Sequence, residues 1–432
     1  MCTGSRRRVS CRRPKSMAQT HSDIVSPNNL ALLALCLTLC VFLASCGSLV
    51  SNGSLPSNPT TFVTTGAMKL YRVDHTANLL TTGDVLIDGG GWKIGSDPHV
   101  LDGNGNPILV DVPTAGCELY SSASGAFTPC PSSDSARYFH TATSLQNGTV
   151  LIAGGVFYEP GIYPFIISFA PAGEIFDPAQ GFSSVTFMNA PRAFHTSTLL
   201  NNGMVLIAGG QVVSGNVTNS AELYDPTTKA FTLTGNLNAA RENHTSTLLN
   251  NGMVLIAGGL AQFQLTGAAD VPLSTAELYN SVTGMFNATG TMNAPREQHT
   301  ATLLNNGMVL ISGGLDAGGK VLDSAELYDP VTETFTQTGS MSAARANHTA
   351  TLLDNGVVLI AGGRDSNFTA LNSAELYNPT TGLFTTITAS LNTARFSHTA
   401  TLLDNGKVLL AGGDASAPAT PNTSTLSSAE LY

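Results

Sequence analysis

Hydrophobic and polar residues follow one block that returns seven times along the chain. Each block opens with a β-rich segment and a turn and continues with an apolar run ending in Gly-Gly, as in HTSTLLNNGMVLIAGG at residues 195–210 and, unchanged, at 244–259. The apolar run does not alternate, which is typical of a central strand buried on both faces. A third segment, AELY or a variant, and a fourth, F-T-x-T-G or a variant, complete the block. Each block is therefore predicted to form a four-stranded antiparallel sheet.

Histidines at equivalent positions give the spacing of the blocks. They are separated by 49 to 65 residues and are His75, His140, His195, His244, His299, His348 and His398. An arginine lies three residues before each of them, at Arg72, Arg137, Arg192, Arg241, Arg296, Arg345 and Arg395. The third segments supply Glu118, Glu174, Glu222, Glu277, Glu326, Glu375 and Glu430. A period near 50 residues predicts an all-β fold, a seven-bladed β-propeller of four-stranded blades.

The two ends of the chain complement each other. Residues from Phe62 onward align with a fourth segment, whereas the chain stops at Tyr432, within the third segment of the seventh block. We predict that the N-terminal strand completes the last blade and closes the ring, which removes the exposed sheet edges of an open array.

These blocks resemble kelch repeats, in the bacterial form related to the central propeller of galactose oxidase, from about residue 60 to the end. The Gly-Gly doublet, the upstream Arg-x-x-His and the aromatic third and fourth segments carry the resemblance. The chain departs from it by placing Phe where many kelch blades have Trp, and by the poor fit of the second block, EIFDPAQGFSSVTF.

The galactose oxidase copper site uses a cysteine crosslinked to a tyrosine, a further tyrosine and two histidines. Here the cysteines available within the repeats are Cys117 and Cys130, and the histidine outside the motif in the mature part is His99. The sequence therefore does not support the oxidase chemistry, and we expect no cofactor and no metal.

The N-terminus has the features of an export signal. Six basic residues precede an apolar run, Leu30–Leu43, that is too short to span a membrane and is followed by small residues. The tetrapeptide L-A-S-C resembles the lipobox of bacterial lipoproteins, which implies lipidation of Cys46. We predict a signal peptide at 1–45, a linker at 46–60 and the propeller at 61–432, with the protein lipid-anchored in a bacterial cell envelope, at the outer membrane or cell surface. A plain signal peptide, an uncleaved anchor and a start at Met17 remain alternatives.

Charge excludes one class of partner. Only 11% of the residues are charged and the net charge is −10. Removing residues 1–45 takes away six basic residues and one acidic residue, so the mature chain is still more acidic. Nucleic-acid binding, which needs a basic surface, is not expected.

Two groups of repeated residues are assigned to the framework. Seven equivalent histidines on separate blades are spread around a ring instead of converging on one metal ion, so we expect residues such as His195 and His244 to satisfy backbone and hydroxyl groups. We expect each arginine, for example Arg192 or Arg241, to bond a motif glutamate such as Glu222 or Glu277, or backbone carbonyls, and so to tie blades together. Cys117 and Cys130 lie on either side of a predicted hairpin turn, which favours a disulfide.

Candidate binding residues lie where the repeat is interrupted. Insertions follow Gly-Gly at Gly91–Gly116, Val156–Gly173 and Leu260–Thr275, and loops on a rigid scaffold are common binding sites. They contain Trp92, His99, Phe157, Tyr158, Tyr163 and Phe165, which are suited to stacking on a sugar or anchoring a protein, or alternatively to packing over the propeller. No catalytic constellation stands out. We predict a non-catalytic binding module for a protein or glycan; the alternative is a carbohydrate-active enzyme without the copper-radical site.

Overall fold

The computed structural model describes residues 61–94, 110–158, 167–213, 215–261, 271–416 and 424–432. The predicted signal peptide, the linker with Cys46, and the candidates His99, Tyr163 and Phe165 lie outside these ranges. Regular structure within them is β, without a helix of the length and hydrophobicity that crossing a membrane requires.

The strands form seven blades and three small two-stranded sheets. Those up to the end of blade 2 are β1 (Val63–Thr64), β2 (Thr76–Leu79), β3 (Asp84–Asp88), β4 (Gly91–Ile94), β5 (Val110–Pro113), β6 (Cys117–Ser121), β7 (Ala126–Cys130), β8 (Thr141–Ser144), β9 (Val150–Ala153), β10 (Val156–Tyr158), β11 (Ile167–Phe169), β12 (Ala172–Asp177) and β13 (Gly181–Phe187). Those of blades 3 and 4 are β14 (Arg192–Ala193), β15 (Thr196–Leu199), β16 (Val205–Ala208), β17 (Gln211–Val212), β18 (Ala221–Asp225), β19 (Ala230–Leu233), β20 (Thr245–Leu248), β21 (Val254–Ala257), β22 (Thr275–Asn280) and β23 (Met285–Thr291). The remainder are β24 (Thr300–Leu303), β25 (Val309–Ser312), β26 (Ala325–Asp329), β27 (Thr334–Gln337), β28 (Thr349–Leu352), β29 (Val358–Ala361), β30 (Ala374–Asn378), β31 (Leu383–Thr386), β32 (Thr399–Leu402), β33 (Val408–Ala411) and β34 (Ala429–Leu431).

Each blade is one antiparallel sheet, for example β20-β21-β22-β23 in blade 4. The first strands of the blades, β2, β8, β15, β20, β24, β28 and β32, lie side by side in a closed circle around the central tunnel. The N-terminal strand completes blade 7, because β1 pairs with β34 through Val63 opposite Leu431. The predicted seven-bladed propeller and its closure are confirmed.

Packing between blades explains the apolar second strands. In β21, Val254 and Ile256 pack against Leu206 of blade 3, whereas Leu255 packs against Val309 of blade 5. The two faces of one strand thus contact two different neighbours, and neither face is left for water. This is why VLIA does not alternate between apolar and polar residues.

Candidate functional site

The motif arginines are buried ion-pair partners within their own blades. Arg241 donates from Nη2 to Oε1 of Glu277 at 2.7 Å and from Nη1 to the carbonyl of Gly258 at 2.7 Å. Glu277 also accepts from the backbone N–H of Asn238, which holds the segment leading into blade 4. Burial lowers the pKa of Arg241, and the Glu277 carboxylate opposes that shift. The same pairing joins Arg72–Glu118, Arg137–Glu174, Arg192–Glu222, Arg296–Glu326, Arg345–Glu375 and Arg395–Glu430.

The motif histidines form a second set of contacts, between blades. His244 Nε2 lies 2.9 Å from Oγ1 of Thr196, at the start of the first strand of blade 3. The equivalent bonds, at 2.9–3.1 Å, close the circle: His75–Thr399, His140–Thr76, His195–Thr141, His299–Thr245, His348–Thr300 and His398–Thr349. Burial, and then the charge of the nearby arginine, lower the pKa of His195 to about 3, so the ring is neutral at physiological pH.

The Gly-Gly doublets make room for these contacts. The N–H of each second glycine donates to the carbonyl of the motif arginine of the next blade, at 2.8–2.9 Å in all seven junctions, as from Gly259 to Arg296. The first glycine has a positive φ, and a Cβ added to Gly258 would lie 2.8 Å from Cε1 of His299. The arginine side chain therefore stabilises its own blade, while its carbonyl and the histidine join neighbouring blades.

These contacts define Arg192, His195, Glu222, Arg241, His244 and Glu277 as framework positions. Each motif histidine forms a hydrogen bond with a threonine of the preceding blade, as described above. Among the residues that the structure describes, no group of three or more His, Cys, Asp or Glu side chains is arranged to hold a metal ion.

The residues directly before the motif histidines encircle the tunnel mouth. They are half-buried, have positive φ angles, and are Asp74, Phe139, Phe194, Asn243, Gln298, Asn347 and Ser397. In six of the seven, the backbone N–H donates to the carbonyl of the same position in the preceding blade, as from Asn243 to Phe194 at 3.1 Å. Beside this circle, an open cavity of about 400 Å³ is lined by the histidines and hydroxyls of blades 1 to 4.

One half of the mouth is aromatic. Phe139 and Phe194 have ring centroids 4.2 Å apart, and the ring of Tyr138 lies 4.6 Å from that of Phe139. Both phenylalanines have left-handed backbones, with φ of 55° and 56°, a conformation that costs a bulky residue about 1–3 kcal/mol.

The other half of the mouth is polar. Arg364 donates from Nε to Oδ1 of Asn347 and from Nη2 to Oε1 of Gln298, both at 3.0 Å. Its guanidinium also lies over the ring of Phe368, 4.2 Å from the centroid. Burial lowers the pKa of Arg364, and the carboxylate of Glu297 opposes that shift. The amides of blades 5 and 6 are thereby held in fixed orientations.

The inserted loops carry part of the predicted site. β4 with β5 and β10 with β11 form two hairpins after the Gly-Gly of blades 1 and 2, and β5 lies against β10. Trp92 lies on β4 and is half-buried; Phe157 is half-buried on β10, where Tyr158 also lies. The second hairpin supports the aromatic half of the mouth, because Val156 and Phe169 pack with Tyr138, Phe139 and Phe194.

Sequence reasoning missed the mouth residues. The signal was present, since the two positions between each motif arginine and its histidine vary from block to block while the arginine and the histidine repeat. Asp88 was not predicted either, although it stands where the other second strands have Ala or Ser. Asp88 is fully buried, 3.7 Å from Nε2 of His140, and burial raises its pKa to about 7.

Cys117 and Cys130 are bonded to each other. They are directly paired across β6 and β7, with their Cα atoms 5.1 Å apart. The bond lies at the junction with blade 2, where both cysteines pack near Phe176.

Comparison with known proteins places this geometry in a family. No curated protein matches the chain. Among solved structures, a fungal alcohol oxidase of the AA5 family, in complex with copper, is similar with a TM-score of 0.61 and 15% identity, over 86% of this chain and 75% of the other. At that identity the likeness shows the fold alone. The family model described as the KLHDC2/KLHL20/DRC7 Kelch-repeats domain matches residues 194–413, about half of the chain, and the protein therefore belongs to the kelch-repeat family.

Proposed function

We propose that this protein is a non-catalytic binding module that holds a glycan at the tunnel mouth. The observation that carries the proposal is the division of the mouth into two stacked phenylalanines, Phe139 and Phe194, on one side and two amides held by an arginine on the other. Sugar rings stack on aromatic faces, and amide groups hydrogen-bond to sugar hydroxyls. A protein segment anchored by an aromatic or amide contact is the second class of ligand for the same surface.

The residues at the mouth do not fit the copper site of the structural relative. The seven mouth positions offer carboxylate, amide and hydroxyl oxygens and two phenyl rings, whereas copper sites are typically built from imidazole, thiolate or phenolate donors. The nearby histidines are buried to more than nine tenths and are bonded to threonines. This donor set supports binding over oxidase chemistry.

A glycan array followed by calorimetry on the best ligand tests the proposal. We expect Phe139→Ala/Phe194→Ala to weaken binding by about tenfold, since aromatic stacking contributes about 0.5–1.5 kcal/mol per ring. The matched control is Phe187→Ala, because Phe187 lies on an outer strand and is 70% exposed. If the double variant bound the glycan as tightly as the wild type, the mouth would not be the binding site. Turnover of a sugar would favour the carbohydrate-active enzyme instead.

We further propose that the protein is exported and anchored through lipid on Cys46. The bond between Cys117 and Cys130 supports an oxidising compartment, where structural disulfides persist. Cys46→Ser is expected to move the protein from the membrane fraction to the soluble fraction. Cys36→Ser, within the apolar run, is the matched control and should leave the distribution unchanged. Continued membrane association of Cys46→Ser would contradict lipidation.

A further inference from the structure

One exposed phenylalanine lies beside the tunnel mouth. Phe368 is in the loop that follows the Gly-Gly of blade 6, and 63% of its surface is exposed. A phenyl ring normally stabilises a protein by being buried. Phe368 gains little of that stabilisation, so packing does not explain the presence of the ring.

The backbone at Phe368 favours glycine. The same turn follows the Gly-Gly of blades 3 and 5, where the N–H of the equivalent residue donates to the carbonyl three residues earlier. The three bonds, at 2.9–3.1 Å, are Phe368–Asp365, Gly319–Asp316 and Gly215–Val212. Phe368 has a φ of 58°, and the two glycines have 72° and 75°, in the left-handed region that other L-residues adopt only at a cost. A bulky and exposed ring therefore stands where the other two turns have glycine.

Arg364 holds the ring of Phe368 in place at the mouth. Its guanidinium lies over one face of the ring, 4.2 Å from the centroid. The same guanidinium donates to the side-chain oxygens of Asn347 and Gln298, both at 3.0 Å. Because these two oxygens are used, the amide NH2 groups are the donors that Asn347 and Gln298 have left for a ligand. Phe368 is thus linked through one side chain to the polar half of the mouth.

The two aromatic sites lie on opposite sides of the mouth. Phe139 and Phe194 belong to blades 2 and 3, whereas Phe368 belongs to blade 6 of the seven-bladed ring. The backbone hydrogen bonds between neighbouring mouth residues set these residues about 5 Å apart, as in a sheet, so the opening is about 11 Å across. This opening is wider than one pyranose ring. A ligand that contacts both aromatic sites therefore has at least two sugar residues.

We propose that Phe368 is a second stacking site for a sugar, and that the mouth therefore binds an oligosaccharide instead of a single sugar. This inference rests on the function proposed above. One sugar residue stacks on the pair Phe139 and Phe194, and another stacks on Phe368. The amide NH2 groups of Asn347 and Gln298 donate to hydroxyls of the sugar residues between the two sites. The exposed ring in blade 6 thus determines the length of ligand that binds tightly.

Calorimetry on the full-length protein with cello-, malto- and chito-oligosaccharides, from the monosaccharide to the tetrasaccharide of each series, tests this proposal. We expect one series to bind, with the tetrasaccharide about fivefold tighter than the monosaccharide. Phe368→Gly, which supplies the residue of the turns in blades 3 and 5, should remove that gain and leave the affinity for the monosaccharide unchanged. Phe368→Trp, which keeps an aromatic face, should retain the gain. Circular dichroism should show that Phe368→Gly is folded like the wild type, since glycine suits the turn.

Two results would overturn the second stacking site alone: affinity that does not rise with the length of the oligosaccharide, or a gain that Phe368→Gly retains. In both cases Phe139→Ala/Phe194→Ala still weakens binding, and the proposed function stands. If no series binds, or if that double variant binds as tightly as the wild type, the proposed function fails and the second site fails with it. Phe187→Ala, at a 70% exposed position on an outer strand, is the matched control and should leave every affinity unchanged.

Discussion

The junction between blades 4 and 5 and the junction between blades 2 and 3 are alike near the tunnel and different near the rim. The inner contacts match, since His299 and His195 bond a threonine of the preceding blade at 3.0 and 2.9 Å. Farther out, Tyr328 bonds a threonine of the preceding blade. At Tyr224 the position of that threonine is Val185, and the tyrosine hydroxyl has no partner among the described residues. The inner contacts therefore hold each junction, and the outer positions are free to differ. The blades thus differ from one another at those outer positions and at the mouth.

Acid should have the largest effect, because it acts on the inner contacts of every junction. Burial lowers the pKa of His75, His195 and His299 to about 3. It also lowers the pKa of the other four motif histidines well below the usual value. The unfolded chain, with histidine pKa values near 6.5, then binds protons that the folded chain does not. The contribution of the neutral histidines to the free energy of unfolding is fully present above about pH 6.5. Below that pH it falls by about 1.4 kcal/mol for each histidine and each pH unit.

Asp88, whose pKa burial raises to about 7, contributes in the opposite direction and offsets one of the seven histidines. The remaining six still exceed a typical unfolding free energy of about 5–15 kcal/mol within one to two pH units. Circular dichroism during acid titration should therefore show cooperative unfolding near about pH 5. His299→Gln, which keeps a hydrogen-bonding group but does not titrate, should reduce by one the number of protons taken up on unfolding. A propeller that stays folded at pH 4 would contradict the conclusion that the motif histidines are neutral in the folded protein.

Removing one buried arginine should have the next largest effect. Arg296 donates to Glu326 at 2.7 Å and to the carbonyl of Gly313 at 2.9 Å, and its side chain is inaccessible to solvent. Arg296→Ala leaves a buried carboxylate without its counterion, so we expect a loss of about 3–5 kcal/mol in urea unfolding. Lys407→Ala, at an exposed position, should change stability by no more than about 0.5 kcal/mol. Similar small losses in both variants would show that the ion pairs do not hold the blades.

The repeat allowed the fold to be predicted from the sequence, and the site could be predicted only in part. Period, turns and apolar runs act in every blade, so seven imperfect copies gave one consistent interpretation, including the pairing of the N-terminal strand with the last blade. The mouth residues escaped because their grouping depends on how the blades are arranged in space. Phe139 and Phe194 are 55 residues apart in sequence but in contact in the fold. The orphaned Tyr224 hydroxyl escaped because the sequence does not show that the tyrosine of one blade meets the fourth strand of the preceding blade.

The junction between blades 1 and 2 replaces the outer hydrogen bond by a covalent link within blade 1. Cys130 stands at the threonine position, and Phe176 at the tyrosine position has no hydroxyl to bond. Cys117→Ala/Cys130→Thr, which restores the residues of the other blades, should lose about 3 kcal/mol in urea unfolding. Reductant should lower the stability of the wild type by a similar amount and leave the variant unchanged. If reductant lowered the stability of the variant as well as that of the wild type, its effect would not come from this disulfide.

The smallest expected effect compares the two kinds of outer junction directly. Tyr279→Phe removes a bond of 2.9 Å to Thr234 and should cost about 1 kcal/mol. Tyr224→Phe removes a hydroxyl that has no partner among the described residues, so it should cost nothing or stabilise the protein. Val185→Thr should supply the missing acceptor and stabilise the wild type, by about 1 kcal/mol, but not the Tyr224→Phe variant. Equal losses in Tyr279→Phe and Tyr224→Phe would instead mean that both junctions are satisfied alike, and the distinction between them would fail.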